Sequence, residues 1–300
     1  MRAVRYEEFG GPEVLHVADV PTPEAGPGQV RVRVAASVVH PVDLIVRSGG
    51  FPAPLPTGLP YTPGWDVVGT VDAVGPSVDE HTIGDEVIGF SPWLQTTTGA
   101  HAEYVVLDAT SLTPAPTGVP ATEAATLPTN GLAAAQALDL LALPAGSTVL
   151  VTGAAGQVGG FVLALARAAG LRATGLAGPD DREFVESLGA AFLSRSDEPT
   201  GTYDAVIDLA VIGSSLLDRV RDGGGYVAAS PPLRPEPVRG IQTFALEVES
   251  DGSRLAELVK LVTSGDIPLR VAGVYPFAAA ATAHERLAQG GVRGGVVIIP

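Results

Sequence analysis

Gly153, Gly156 and Gly159 stand three apart in the run Gly153-Ala-Ala-Gly156-Gln-Val-Gly159, and glycines so spaced let a backbone close on phosphate. The first permits a turn too tight for a side chain, the second admits a pyrophosphate against the main chain, and the third lets a helix pack closely on a strand. The phosphates then meet the amide groups and the positive dipole end of the helix N-terminus. Glycine is common here, at 37 of 300 residues, so the spacing alone is weak and any glycine-rich turn reads the same. The context strengthens it: the strand text Thr148–Thr152 runs straight in, and an apolar, alanine-rich helix pattern runs on to Gly170. A dinucleotide would touch Gly153, Ala155, Gly156, Gln157, Val158 and Gly159.

The end of the next strand decides which dinucleotide. An NAD site places an acid there for the ribose hydroxyls, whereas a 2′-phosphate needs a cation and no carboxylate. The corner reads Ala173-Thr-Gly-Leu-Ala-Gly178-Pro-Asp-Asp-Arg182, with no acid before Asp180. NADPH is favoured over NADH, although Asp180 and Asp181 stand close enough to neutralise Arg182 by simple pairing.

Composition removes other chemistries. There is no cysteine, hence no disulfide, thiolate or cysteine-ligated zinc. With 33 acidic against 18 basic residues the formal charge is −15, which argues against nucleic acid and anionic membrane surfaces as partners. No signal peptide shows at Met1-Arg2-Ala3-Val4 and no apolar run approaches the roughly eighteen residues of a membrane span; a cytoplasmic protein is the plain expectation.

The elements that would position these residues fall into two domains, the default for 300 residues. Residues 1–116 read as an antiparallel β domain of short alternations broken by Gly, Pro and Asp. Val30, Val32 and Val34 alternate with Arg31 and Arg33, 67–74, 85–88 and 103–107 continue the series, and the proline-rich 51–60 must be a loop. Over 117–265 the period changes. A helix is expected over 121–143, then strand and helix alternate through 172–177, 182–188, 205–210, 214–220 and 226–229, the signature of a doubly wound parallel sheet. Leu255, Leu258, Val259 and Val262 fall at helical spacing before Gly265, which suits a C-terminal cap. The tail, 266–300, returns to strands and is expected to rejoin the first domain.

Several pieces in order resemble one family: Met1-Arg-Ala-Val4, Phe9-Gly-Gly-Pro-Glu-Val-Leu15, His40-Pro-Val-Asp-Leu44 with Arg47-Ser-Gly49, Pro63-Gly-Trp-Asp66, Gly84-Asp-Glu-Val-Ile-Gly89, Ala102-Glu-Tyr104, the glycine run and Leu188-Gly-Ala190. They resemble the zinc-independent quinone oxidoreductases (zeta-crystallin-like) of the medium-chain dehydrogenase/reductase superfamily. The resemblance implies an α/β chain with a GroES-like β-barrel domain, a Rossmann domain, a nicotinamide cleft between them and a homodimer. It implies an NADPH-dependent reductase acting on a small quinone or enone. An enoyl or 2-alkenal reductase is the near alternative, and a non-catalytic NADPH-binding protein the distant one. Zinc relatives place a Cys where His40 stands and a His-Glu pair where Trp65 and Asp66 stand; Trp65 cannot ligate a metal.

By the same resemblance, Gly178 replaces a serine at the phosphate corner, Arg182 falls at a lysine and Arg195 could add to it; an arginine binds phosphate by a fork of donors. Thr129 and Asn130 stand where nicotinamide contacts are usual, while the threonine common after Gly-Leu is Ala133. The family usually shows Asn at position 40 and tyrosines at 45 or 51, against His40, Ile45 and Phe51 here. His40 is the one remaining group suited to proton relay near neutrality, or else it only orients the nicotinamide ribose or a backbone carbonyl. Asp43 would tie down its own loop. Trp65, Phe51 and Trp93 could wall a flat substrate or simply be core, and His16, His81, His101 and His284 stand apart without ligand spacing.

Overall fold

The computed structural model describes the chain except residues 53–54, 56–57 and 198–199, so part of the proline-rich 51–60 lies outside the described residues. The first strands are β1 (Arg2–Arg5), β2 (His16–Asp19), β3 (Gln29–Val39), β4 (Asp66–Val74), β5 (Glu86–Phe90), β6 (Tyr104–Asp108) and β7 (Leu112–Pro114), with short helices α1 (Pro41–Arg47) and α2 (Trp93–Thr96) among them. In β3 the alternation holds: Val30, Val32 and Val34 are buried and Arg33 is exposed. Burial of a valine side chain contributes about 1.5–3 kcal/mol, which fixes the face that turns inward.

The expected helix over 121–143 is two helices, α3 (Ala121–Ala124) and α4 (Pro128–Leu141). Pro128 separates them because proline disfavours helix in the residue before it yet suits a first turn. Next come β8 (Thr148–Thr152), α5 (Gln157–Ala168), β9 (Arg172–Ala177), α6 (Arg182–Ser187), β10 (Ala191–Ser194), β11 (Tyr203–Asp208), β12 (Val220–Ala228) and β13 (Gln242–Ala245). They form one parallel sheet in the order β10-β9-β8-β11-β12-β13, the doubly wound order whose reversal lies between β8 and β11. The segment 214–220, expected as helix, is a 3₁₀ helix over Ser214–Arg219.

The tail begins with α7 (Gly252–Thr263), which Gly265 closes with its amide on the Val262 carbonyl at 3.0 Å. Then β14 (Val271–Pro276), α8 (Ala280–Ala288) and β15 (Gly295–Ile299) follow. In the tail β15 pairs antiparallel with β3, giving a sheet β14-β15-β3-β4-β5-β7 with β6 also on β3. One pairing is not antiparallel, since β14 runs parallel to β15, and α8 supplies the crossover such a pair needs.

The chain divides into two compact units, 1–129 with 249–300, and 130–248, rather than at 116/117 and 265/266. Residues 117–129 and 249–265 go with the first unit because of what they pack on. Helix α3 lies against β3 and β4, and α7 lies against β5 and β7. There Gly252 comes so close that a Cβ would fall 2.4 Å from the Thr110 carbonyl oxygen.

Two histidines far apart in the sequence meet inside the first unit. His101 and His284 are 0% and 1% exposed, their ring centres 6.5 Å apart. Arg47 Nη1 donates to His284 Nδ1 at 2.9 Å and His101 Nε2 donates to the Val38 carbonyl at 3.2 Å. Burial pushes His101 down to about 4 against the pull of that carbonyl, and His284 to about 2 with the charges of His101 and Arg47 adding. Both imidazoles therefore stay neutral where the unfolded chain would protonate them. The unfolded state binds more protons below about pH 6.5, and stability falls there by about 1.4 kcal/mol per pH unit for each histidine. In urea unfolding between pH 7 and 5 we expect His284→Asn to lose stability with acid less steeply than the parent, by about that slope. Parallel slopes would show that His284 is protonated in the fold.

Candidate functional site

The first unit carries a buried acid–base cluster at the start of α1. His40 is extended (φ −109°, ψ 157°) and Pro41 follows at the first helical position, where its fixed φ suits a helix start. Asp43, one turn in, accepts the His40 backbone N–H on Oδ2 at 2.8 Å and the Trp65 indole N–H on Oδ1 at 2.9 Å. So Asp43 does tie down its own loop, and it fixes Trp65 as well.

His40 itself turns to the head of β4. Its Nε2 lies 2.6 Å from Asp66 Oδ2, and the other oxygen of Asp66 accepts the Thr129 backbone N–H at 2.8 Å. The Asp66 side chain is 0% exposed and that of His40 is 9% exposed, so any exchange with a small molecule passes through the imidazole. Burial alone would strip the proton from His40. The charge and hydrogen bond of Asp66 outweigh it, with Asp43 adding, and hold the pKa above the ordinary value. Burial pushes Asp43 up to about 6, opposed by His40 and by the two N–H groups it accepts. The Thr129 hydroxyl is buried with no hydrogen-bond partner among the described residues.

Aromatic rings back the cluster. Trp65 lies 5.5 Å from Phe90 and 5.6 Å from Trp93, and Trp93 lies 5.9 Å from Tyr61, between ring centres. Trp93 is fully buried core, whereas Trp65 and Phe51 are only partly buried. Phe9 and Ile45 are 47% and 45% exposed.

The second unit carries the glycine turn. Gly153 adopts φ +63°, which an L side chain disfavours. A Cβ on Gly159 would fall 2.3 Å from the Gly153 carbonyl oxygen, and one on Gly156 3.1 Å from it. Ala155 is buried, and Gln157 and Val158 are half-buried in the first turn of α5. The turn is thus packed so closely on α5 that only glycine fits at 159, and it ends on a helix N-terminus, the arrangement a pyrophosphate requires. Asn130 is buried in the first turn of α4.

At the corner after β9, Gly178 and Arg195 come together: Arg195 Nη2 lies 3.7 Å from where a Gly178 Cβ would stand. Asp181 is nearer still, its Oδ2 at 2.9 Å from that point. Arg182 is drawn off by a partner not foreseen, Glu186 at 3.0 Å, rather than Asp180 or Asp181, and its guanidinium stacks on Phe192 at 4.3 Å. This pair is exposed on both sides, and such pairs are weak enough to yield to a stronger anion.

Sequence reasoning missed the role of Asp66, which it read only as a replaced metal ligand, and it missed Asp208 at the end of β11. Buried acids at strand ends were the available signal.

Two family models match the chain: the alcohol dehydrogenase GroES-like domain over residues 26–117 and zinc-binding dehydrogenase over 181–298. The chain is 30% identical to the quinone oxidoreductase of Mus musculus, over all of this chain and 97% of that protein. The chain belongs to the quinone oxidoreductase family. It is also similar to the chloroplastic NADPH-dependent alkenal/one oxidoreductase of Arabidopsis thaliana, at 31% identity over all of this chain and 80% of that one. The solved quinone oxidoreductase from Coxiella burnetii superposes with a TM-score of 0.89 at 29% identity, covering 100% of this chain and 99% of that one. One family model carries zinc in its name, yet in this family member no group of three or more metal-ligating side chains is gathered among the described residues. His40, Trp65 and Asp66, which the resemblance sets against the ligands of zinc relatives, lie together here, and the first and last hydrogen-bond each other. Trp65 offers no atom that binds zinc, and His40 and Asp66 already face each other at 2.6 Å.

The geometry of the pair makes one claim directly testable. With Asp66→Asn the charge that supports the imidazolium is gone and burial prevails, so His40 should titrate below about 6.5 instead of above it. An NMR titration of the His40 ring in both proteins reads this, and an unmoved midpoint would show that Asp66 does not hold the proton.

Proposed function

We propose that the chain is an NADPH-dependent reductase that passes hydride to a quinone or a related conjugated carbonyl compound without zinc, working as a cytoplasmic homodimer. The observation that carries this reading is the buried His40–Asp66 pair, 2.6 Å apart, in which only the imidazole reaches any solvent and the acid raises its proton affinity. The names of the similar proteins, a quinone oxidoreductase and an NADPH-dependent alkenal/one oxidoreductase, support the substrate classes.

NADPH, when bound, supplies the hydride. The glycine turn and the first turn of α5 would hold its pyrophosphate, through Gly153, Ala155, Gly156, Gln157, Val158 and Gly159. Gly178, Arg182 and Arg195 would take the 2′-phosphate, and Asn130 would contact the nicotinamide side. A quinone, once reduced, takes protons from water, so His40 only aligns it. An activated alkene is different, because its α-carbon must receive a proton together with the hydride at the β-carbon. His40 would deliver it from Nε2, where Asp66 stabilises the proton beforehand and fixes the ring. This favours an alkenal or enone reductase as the second reading.

With alkenals, His40→Ala should lower kcat by about 100-fold, within the usual range for a positioned acid, while quinones lose less than about tenfold. The alkenal rate should fall as pH rises through the raised pKa of His40, above about 6.5. Equal losses for both classes, with His40→Asn fully active, would end the proton-relay reading.

NADPH should bind more tightly than NADH. Arg195→Ala should shrink that preference by about tenfold, as loss of one charge-assisted contact does, and Arg182→Ala by less. Equal affinities for the two cofactors in a fluorescence titration would overturn the assignment of this corner.

A further inference from the structure

At the carboxyl end of β11 the Asp208 carboxylate is 2% exposed and fully engaged. Oδ1 accepts the Thr152 hydroxyl at 2.6 Å and the Ile212 amide at 3.1 Å, and Oδ2 accepts the Gly213 amide and the Tyr226 hydroxyl, each at 2.8 Å. Thr152 Oγ1 in turn accepts the Ala210 amide at 2.9 Å. One buried acid therefore binds the ends of three neighbouring strands, β8, β11 and β12, to the tip at 210–213.

That tip is held in a shape it would not choose. Val211 sits at φ +57° and Gly213 at φ +89°. A β-branched residue in the left-handed region is a true outlier, which persists only where its surroundings over-determine it. The result leaves two apolar side chains raised toward solvent, Val211 at 51% and Ile212 at 44% exposure. The tip also abuts the glycine turn, since a Cβ on Gly153 would lie 3.4 Å from the Ala210 amide nitrogen. It stands at the reversal of strand order between β8 and β11, where doubly wound sheets take ligands, and on the half that serves the second nucleotide.

We propose that Asp208 is a positioning residue for the nicotinamide half of the dinucleotide, holding Val211 and Ile212 in a strained, raised tip on which that half rests. This rests on the NADPH reading above. Asp208 touches no ligand itself; it acts through the amides of residues 210–213.

The test compares NADPH with adenosine 2′,5′-bisphosphate, which reaches only the first half of the site, on the full chain by calorimetry. Asp208→Asn should weaken NADPH by about tenfold, the lower end of what losing a supporting hydrogen-bond partner does, and leave the bisphosphate within about twofold. Val211→Gly should show the same split with a melting temperature that is unchanged or raised, because glycine relieves the left-handed strain. A purely structural role would move the melting temperature and both ligands together, and that result overturns the inference. So does NADPH binding that is unchanged in both variants. Where Asp208→Asn fails to fold, Val211→Gly alone decides by its split. A parent protein that binds neither ligand would instead overturn the dinucleotide reading, and this inference with it.

Discussion

A carboxylate taken wholly out of water must be repaid by donors from elsewhere in the chain, and in the first unit Asp66 sets that demand. Isolated, an ionised group at 0% exposure is prohibitively expensive. The demand is met by His40 Nε2 and the Thr129 amide, which draws the start of α1, the head of β4 and the first turn of α4 to one point. The second carboxylate, Asp43, then locks the same helix start and the Trp65 ring. Proton affinity at His40 is thus a by-product of the packing. The ring holds its proton more firmly than a free imidazole because the acid beside it has no solvent to turn to.

The second unit repeats the device with a different product. Asp208 is as deeply buried, but its four donors are two hydroxyls and two amides rather than a cation. The binding energy instead fixes backbone geometry at the open end of a parallel sheet. Thr152 makes this possible by serving both sides, donating to Asp208 and accepting from Ala210. Two acids of the same burial therefore do unlike work, and the difference is set by whether an imidazole or a run of amides faces them.

Features whose cause is local were legible from sequence. The valine alternation of β3 and the glycine turn each need only a few consecutive residues, and both read as the structure has them. What failed was what depends on distant partners. Helix α7 carries an amphipathic pattern that would suit either unit, and only its close approach to Thr110 places it. His101 and His284 read as unrelated histidines because nothing in the text near either announces the other. Asp66 looked like a vacated ligand position, since its second donor is a backbone amide, a group every residue carries. The Arg182–Glu186 pair has a local spacing of four, but Asp180 and Asp181 compete with it on the other side of Arg182 in the sequence.

A chain of formal charge −15 that is to hold a polyanion cannot rely on its overall field. At physiological salt that field decays over about 8 Å, so what matters is the charge met within the first contacts. Backbone amides at a helix start carry no net charge and so leave the balance untouched. Acids near the sheet are also occupied: Asp208 is wrapped by donors, and Asp204 is held by Thr148 and by Arg221 at 2.7 Å. Cations would then be needed only where one phosphate must be told from a hydroxyl, which we propose to be the corner of Gly178 and Arg195. Such an economy separates affinity from selectivity. The glycine turn would hold any dinucleotide, and the choice between two of them would fall to one or two exposed arginines in a field that otherwise opposes them.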